Sequence, residues 1–430
     1  MTIEKISYSW RSKLGQLIES KQTRSVVLSG DVTDLFYVGS DDAHPHGRYV
    51  SLTEHLAVEW GRLSGNILVI LKVDGTIRFL TTDKERLTRA WANDGLDEKR
   101  RQVIIERFIR PHATDLPEPG ATFDVLLHQA QGKPAEAMNL LQELCRISRE
   151  SKEGDPLFGY RLLILIENAD ILLPEGQLHQ LGAAYQSRII QMFEWFADPE
   201  FGAGKDMVIL VSESKSQINH RLTRMPQMLG CEITLPLLAE RRHFIEWFEK
   251  AHVTDGELKL WGTKDDLTFL TGALDLHAVR QILLEATHVK RAVEPKDVIA
   301  RVQEFIKRIL GAGDEGSDVV KFKLPTHTLE DLVGLTKAER ERLQTTIRRY
   351  QSTGKDALSN TIVPGPIGAG KTYRYEAVAT HLGMVVLELK AIRSKWFGAT
   401  DIILERLRRV LEALPKVMLF LDEVDTKMGG

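Results

Sequence analysis

The stretch Gly365-Pro366-Ile367-Gly368-Ala369-Gly370-Lys371-Thr372 matches the pattern G-x-x-x-x-G-K-[ST] in full. Glycines in this pattern let the backbone curl, so that successive amide groups face phosphate oxygens that larger side chains would obstruct. We expect Lys371 to reach the β- and γ-phosphates of a nucleotide and Thr372 to place its hydroxyl group on Mg²⁺. The stretch therefore predicts a triphosphate-binding loop at the positive end of a helix.

The residues on either side favour the same interpretation. Asn360-Thr361-Ile362-Val363 is typical of a short strand, and Thr372-Tyr373-Arg374-Tyr375-Glu376-Ala377-Val378-Ala379 of the start of a helix. A phosphate loop of this kind lies between a strand and a helix. This order makes a chance match to the pattern improbable.

A second motif follows the loop, Val417-Met418-Leu419-Phe420-Leu421-Asp422-Glu423. An unbroken apolar run suits a strand buried on both faces of a parallel sheet, and ligands of such sheets bind beyond the carboxyl ends of the strands. Asp422 is then expected beside the metal ion, and Glu423 beside the water that attacks the γ-phosphate. Taken alone, a core strand with a solvated acidic turn is an equally open interpretation. Its position after a complete phosphate loop favours an ATP-hydrolysing site.

Between these motifs, Lys395-Trp396-Phe397-Gly398 places two aromatic residues between a lysine and a glycine. Such a stretch forms either a small hydrophobic cluster or an exposed surface that grips a ligand. From the residues alone, burial is the favoured interpretation.

The order of the phosphate loop, Ser394-Lys395-Trp396-Phe397-Gly398 and Leu421-Asp422-Glu423-Val424-Asp425 resembles the AAA family of ATPases. The resemblance implies ATP and Mg²⁺ as cofactors and a homo-oligomer, a hexamer as in the family, around a central pore. By motif match, Trp396 would grip a protein substrate in that pore, with Lys395 and Phe397 beside it. Leu329-Glu330-Asp331-Leu332-Val333-Gly334-Leu335 resembles a segment that lies near the adenine in this family, which places Gly334 there. The family's usual loop differs at Ile367 and Ala369, but neither position supplies a side-chain ligand.

The first half of the chain resembles a degenerate copy of the same module. The apolar run Leu162-Leu163-Ile164-Leu165-Ile166 ends in Glu167-Asn168, and an amide cannot act as a general base. After the opening strand Ser25-Val26-Val27-Leu28-Ser29, Asp31 and Asp34 replace the glycine cradle and the lysine, and carboxylates repel a triphosphate. An unrelated α/β domain remains the alternative.

Other features of the first half fit this resemblance, and one does not. Met207-Val208-Ile209-Leu210-Val211-Ser212 resembles the family's sensor strand, and Arg224 matches the arginine that reaches a neighbouring subunit. Gly202-Ala203-Gly204-Lys205-Asp206 is not predicted to bind phosphate, because it precedes a strand instead of following one. Residues 81–155 are a charged, helix-rich insertion without a predicted role.

The predicted fold class is α/β, with a P-loop NTPase-type parallel sheet flanked by helices, in tandem modules with a helical lid after the first. The predicted divisions are a degenerate AAA-like module (1–236), the lid (237–310), a Gly-rich acidic linker (311–323) and the N-terminal part of an active AAA module (324–430). The family places a sensor strand, a trans-acting arginine and a lid after the second motif. We therefore expect the chain to be a fragment of a longer product, and the fragment itself to be inactive.

Composition excludes several classes of protein. With 57 basic and 60 acidic residues the chain has no general attraction for nucleic acid, so nucleic-acid partners are disfavoured. The 2 cysteines show neither metal-ligand spacing nor a disulfide framework, which favours a reducing cytoplasm. No stretch reaches the roughly 20 apolar residues that span a bilayer, so a membrane location is disfavoured.

The sequence thus predicts an ATP-hydrolysing, ring-forming motor that remodels or unfolds proteins. The main alternative is a nucleotide-dependent assembly switch or scaffold that translocates nothing. A DNA-linked motor is less favoured because of the charge balance.

Overall fold

The computed structural model describes residues 6–61, 65–93, 119–252, 258–309, 320–352, 360–366, 368–389, 400–414 and 416–421. They fall into two compact units, Met1–Thr234 and Leu235–Gly430. Ile367, Lys395, Trp396, Phe397, Asp422 and Glu423, all predicted site residues, lie outside the described residues.

A six-stranded sheet in the order β5-β4-β6-β7-β1-β8 is the centre of the first unit. β5 runs antiparallel to β4, and the other neighbouring strands are parallel. β2 and β3 form a separate antiparallel pair. The strands are β1 (Ser25–Gly30), β2 (Phe36–Val38), β3 (Arg48–Val50), β4 (Asn66–Leu71), β5 (Ile77–Phe79), β6 (Arg161–Ile166), β7 (Met207–Ser212) and β8 (Met228–Ile233).

Both faces of this sheet are covered, which explains the unbroken apolar runs of its strands. Alternate residues of one strand enter different cores: Val27 packs in one cluster, while Val26 and Leu28 pack in the other. The helices of this unit are α1 (Ser9–Glu19), α2 (Leu52–Gly61), α3 (Thr81–Asn93), α4 (Pro119–Ala130), α5 (Pro134–Glu150), α6 (Ala169–Leu172), α7 (Ala183–Ala197), α8 (Pro199–Ala203) and α9 (His220–Thr223). Helices α1 and α2 cover one face, and α3, α4, α5 and α7 cover the other. The predicted α/β class, with a mainly parallel sheet flanked by helices, is confirmed.

The second unit begins with four helices and continues into a three-stranded sheet of order β11-β10-β9. β10 runs parallel to β11 and antiparallel to β9. The elements are α10 (Leu238–Ala251), α11 (Lys264–Leu270), α12 (Leu276–Val289), α13 (Pro295–Ile309), β9 (Val320–Lys323), α14 (Lys337–Gln351), α15 (Lys371–Leu382), β10 (Val385–Leu389), α16 (Thr400–Ala413) and β11 (Val417–Leu421).

The structure corrects three expectations in this unit. Asn360–Val363 is not a strand: no strand pairs with it in the described residues, and Ile362 is 94% exposed. β11 is only half-buried instead of buried on both faces, because β10 is the one neighbour it has among the described strands. The last residues of the predicted linker, 320–323, form β9, since they find a partner in β10.

A buried arginine ties the first helices of the second unit together. The guanidinium group of Arg241, on α10, donates hydrogen bonds to the carbonyl oxygens of Thr268, Gly272 and Pro236. Burial lowers the pKa of Arg241 to about 10. Among the helices that the structure describes, none is long and apolar enough to cross a lipid bilayer.

Candidate functional site

Three glycines give the loop before α15 its shape. Gly365, Gly368 and Gly370 have φ angles of 153°, 81° and 70°, which residues with a Cβ atom rarely adopt. A Cβ atom on Gly368 or Gly370 would meet no atom within 4 Å. The backbone conformation, rather than crowding, therefore requires glycine at these two positions.

Lys371 is folded over this loop. Its Nζ atom donates hydrogen bonds to the carbonyl oxygens of Gly365 and Pro366, each at 2.8 Å. Thr372 follows on the exposed first turn of α15. The ammonium group and the hydroxyl group are thus presented beside the same exposed loop.

The N-terminus of α15 fits a phosphate group. Its N-cap is Gly370, which offers no side-chain hydrogen bond to the first-turn amides. Such amide groups have no partner within a helix, and together with the helix dipole they attract an anion. Ala369, like Gly368 and Gly370, is exposed, so the loop is open to a ligand. The residues present therefore fit the triphosphate that the loop sequence predicts.

Of the two predicted metal ligands, Thr372 is among the described residues and Asp422 is not. Thr372 has an exposed hydroxyl group, which is the ligand type that Mg²⁺ takes in such loops. Asp422, the expected partner, follows the last residue of β11. Within the described ranges, no three His, Cys, Asp or Glu side chains are grouped so that they could hold a metal ion.

The segment that contains Gly334 packs beside this helix. A single 3-10 turn, Leu329–Asp331, lies against α15. Both the backbone amide and the hydroxyl group of Thr328 donate to the carboxylate of Asp331, and these bonds hold the pKa of Asp331 below its ordinary value. Gly334 follows this turn with a φ angle of 82°. The structure thus brings the segment near α15, where Lys371 and Thr372 begin the helix.

A charged and aromatic cluster on α15 was missed by sequence reasoning. Glu376 accepts a hydrogen bond from Lys323 at the end of β9. The Nε2 atom of His327 lies 3.7 Å from Glu376 Oε2, and its ring lies 4.1 Å from the ring of Tyr373, centroid to centroid. Nothing in the local sequence indicates these pairs, because their members are 46 or more residues apart along the chain.

The turn after β1 in the first unit is closed by backbone hydrogen bonds. The amide groups of Gly30 and Asp31 donate to the carbonyl oxygens of Glu213 at 3.1 Å and Ile233 at 2.9 Å. A Cβ atom at residue 30 would lie 2.0 Å from the Ile233 oxygen. These amide groups are therefore not offered to a phosphate.

The two residues after β6 are also engaged locally. Glu167 accepts a hydrogen bond from the hydroxyl group of Thr53. Asn168 has a φ angle of 49° and is the N-cap of α6. Both positions fit a turn between β6 and α6.

The glycine-rich stretch before β7 has a structural role. Asp206 Oδ1 accepts hydrogen bonds from the Leu162 amide at 2.8 Å and the Ser148 hydroxyl group at 2.9 Å. Lys205 Nζ donates to the carbonyl oxygen of Leu157 at 3.1 Å. Burial raises the pKa of Asp206 to about 6. These residues connect α5 and β6 to the start of β7. The stretch therefore has a structural role, and it is similar to a phosphate loop in sequence alone.

Two family models match the chain. The model described as AAA+ chaperone, N-terminal Rossmann-like domain matches residues 8–233, and the model described as ATPase family associated with various cellular activities (AAA) matches residues 361–429. The second match includes the whole phosphate loop.

The proteins similar to the chain include a curated relative and a solved structure. Protein SAV from Sulfolobus acidocaldarius is 23% identical over 309 residues, which cover 66% of this chain and 38% of the relative. The chain thus matches well under half of that relative's length. A structure of a HORMA:CdnC:Trip13 complex from E. coli MS115-1 is 12% identical, with a TM-score of 0.35, and the match covers 68% of this chain and 76% of that one.

Proposed function

The chain belongs to the AAA+ chaperone family, and from this premise we propose that it binds and hydrolyses ATP at the loop before α15, as part of a ring-forming motor that remodels proteins. The observation that carries the proposal is the position of Lys371. Its ammonium group donates to the carbonyl oxygens of Gly365 and Pro366, in a loop whose three glycines have positive φ and which leads into a helix without a side-chain N-cap. This arrangement suits a triphosphate, because amide groups, helix dipole and ammonium charge act on one exposed loop.

Each predicted residue has a task in the proposed reaction, which transfers the γ-phosphoryl group to water. Lys371 binds the β- and γ-phosphates and offsets their charge. The backbone of Gly365, Pro366, Ile367, Gly368, Ala369 and Gly370 cradles the phosphates. Glu423 orients the attacking water and takes its proton. When bound, Mg²⁺ would stabilise negative charge on the phosphates, held by Thr372 and Asp422.

The proposed organisation follows the sequence. Residues 1–236 form a module that has kept the fold and lost the phosphate loop, 237–310 its helical lid, and 324–430 the N-terminal part of the active module. The backbone hydrogen bonds that close the turn at Gly30 and Asp31 support the proposal that the first module does not bind ATP. Full-length copies would assemble as a hexamer in the cytoplasm, and Trp396, with Lys395 and Phe397, would grip the protein substrate.

Isothermal titration of the 430-residue chain with Mg·ATP tests the nucleotide site. We expect one ATP per chain for the wild type and none for Lys371→Ala, whereas Lys337→Ala, at an exposed lysine that begins α14, should bind as the wild type does. In a protein that contains a whole AAA module, Glu423→Gln should keep ATP binding and lose hydrolysis. Stoichiometric binding by Lys371→Ala would place the nucleotide elsewhere and overturn the proposal.

A further inference from the structure

A short stretch of described residues, 320–331, contacts α15, the helix that follows the predicted phosphate loop. We call this stretch the leading segment. It consists of β9, a connection that contains His327, and the 3-10 turn before Gly334. β9 pairs with β10 in antiparallel register, Lys323 opposite Val386. The leading segment is therefore fixed to the sheet at one end and lies against α15 at the other.

Two side chains of this segment contact residues in the N-terminal half of α15. Lys323 pairs with Glu376, and both side chains are mostly buried, with 24% and 11% of their surface exposed. His327 contacts the same carboxylate, and its ring packs at a tilt of 37° against the ring of Tyr373. Lys323 Nζ also lies 3.8 Å from Glu388 on β10, so one ammonium group joins helix and strand.

These attachments lie close to the phosphate loop along the helix. Tyr373 directly follows Thr372, and Glu376 is five residues after Lys371, roughly 7.5 Å along the helix axis at 1.5 Å per residue. The first turn of α15 carries the amide groups, the ammonium group and the hydroxyl group that would contact the phosphates. A small rotation or tilt of α15 would move all of these groups together.

We propose that the Lys323–Glu376 pair positions α15 and thereby sets the affinity of the phosphate loop for ATP, which makes the leading segment a regulator of that site. This inference rests on the proposed nucleotide site. Glu376 is a positioning residue here, since it acts through the helix and not on the phosphates.

A double-mutant cycle separates positioning from a direct effect of charge. The variants are Lys323→Met, Glu376→Gln and their combination, and the measurement is the Kd of Mg·ATP by isothermal titration. If the pair positions α15, each single variant releases the helix, and the Kd should rise about fivefold, which equals about 1 kcal/mol. The double variant should be no worse than either single variant, because the contact is already lost.

A direct effect of charge gives a different pattern. Loss of the Lys323 charge would weaken ATP binding, whereas loss of the Glu376 charge would strengthen it, since like charges repel. Single variants that move the Kd in opposite directions, or not at all, would overturn the inference. Lys323→Arg, which keeps the ion pair, should bind ATP within twofold of the wild type.

The chain offers a matched control and a safeguard. Lys264 and Glu249 form another Lys–Glu pair of the second unit, on α11 and α10, and Lys264→Met and Glu249→Gln should leave the Kd within twofold.

If Lys323→Met does not fold, the charge-swapped Lys323→Glu/Glu376→Lys protein carries the test, and a folded swap that binds ATP more than fivefold weaker contradicts positioning. Absence of ATP binding by the wild type would refute the proposed function itself, a different result from an unchanged Kd across the cycle.

Discussion

The amide group of Asp31 is joined to the carbonyl oxygen of Ile233 by a hydrogen bond of 2.9 Å, which closes the turn after β1 onto the edge strand β8. In the second unit, Gly368, Ala369 and Gly370 leave their loop exposed before α15. An amide group that already has a backbone partner cannot bind a phosphate oxygen without losing that partner. The turn after β1 is thus closed by backbone, whereas the loop before α15 is exposed, although its Ala369 amide group donates to the Pro366 carbonyl oxygen at 3.3 Å.

Replacement of Gly30 by alanine should destabilise the first unit. Gly30 has a φ angle of 112°, and a Cβ atom there would lie 2.0 Å from the Ile233 oxygen. Alanine at positive φ costs about 1–2 kcal/mol, and the backbone must also shift. We therefore expect the free energy of unfolding to fall by about 2 kcal/mol or more. Urea titration followed by circular dichroism measures it.

Gly15, inside α1, supplies the control of opposite sign. Its Cβ position meets nothing within 4 Å, and a glycine within a helix costs up to about 1 kcal/mol relative to alanine. Gly15→Ala should therefore stabilise the unit slightly. Equal unfolding midpoints for Gly30→Ala and the wild type would show that the turn is not closed as described.

Buried His55 should make the first unit less stable in mild acid. It lies among Tyr8, Trp10 and Phe36, and burial lowers its pKa from 6.5 to about 4. A lowered pKa in the folded state gives stability that is present above pH 6.5 and lost as the pH falls through 4. The loss should reach about 3 kcal/mol, at about 1.4 kcal/mol per pKa unit.

Urea unfolding at several pH values tests this prediction. His55→Asn keeps a donor for the Tyr37 carbonyl oxygen, which His55 Nδ1 contacts at 3.1 Å, but does not titrate. The variant should be less stable than the wild type at pH 7 and should lose less stability between pH 6.5 and 4. His179→Asn, at an exposed histidine, should keep the wild-type slope. An unchanged slope for His55→Asn would contradict the role of His55.

Asp206 should lower the stability of the first unit as the pH rises, which is the opposite of the effect of His55, over nearly the same pH range. Burial raises its pKa from 3.8 to about 6, so its contribution to stability is full below pH 3.8 and is lost as the pH rises through 6. Asp206→Asn keeps an acceptor for the Leu162 amide and carries no charge. Between pH 4 and 7, the difference in unfolding free energy should therefore shift in favour of the variant by up to about 3 kcal/mol.

The same denaturant titrations measure this shift. Asp42→Asn, at an exposed carboxylate, is the control and should show no change with pH relative to the wild type. A constant difference between Asp206→Asn and the wild type across the range would mean that Asp206 is not held in a protonation-sensitive environment.

Trp396→Ala distinguishes a motor from a switch. In a protein that contains a whole AAA module, a translocating motor with Trp396→Ala should keep its ATPase rate within about twofold and lose the unfolding of a tagged fluorescent substrate, because one aromatic side chain would provide the grip. Tyr185→Ala, at an exposed aromatic residue of α7, should leave both rates unchanged. Full unfolding activity in Trp396→Ala would favour the alternative, a nucleotide-dependent switch or scaffold.

Features that depend on residues adjacent in the chain could be predicted from the sequence. The glycine-rich loop before α15 is one, since its glycines, Lys371 and Thr372 are contiguous; its binding of phosphate stays a prediction. The buried strands β6 and β7 are others, because an apolar run between polar residues needs no partner to be recognised. The rejection of the stretch before Asp206 as a phosphate loop likewise needed only its order relative to β7.

The pairing of distant residues was decided by the tertiary structure alone. Asn360–Val363 has the composition of a strand, but a strand forms only where a neighbour offers a hydrogen-bonding edge, and none of the described strands does so. The Ile233 oxygen closes the turn at Asp31, and Lys323 meets Glu376, across separations that no local pattern records. Local sequence therefore determined where the glycines, Lys371 and Thr372 stand before α15, and long-range contacts decided that the turn at Asp31 is closed by backbone hydrogen bonds.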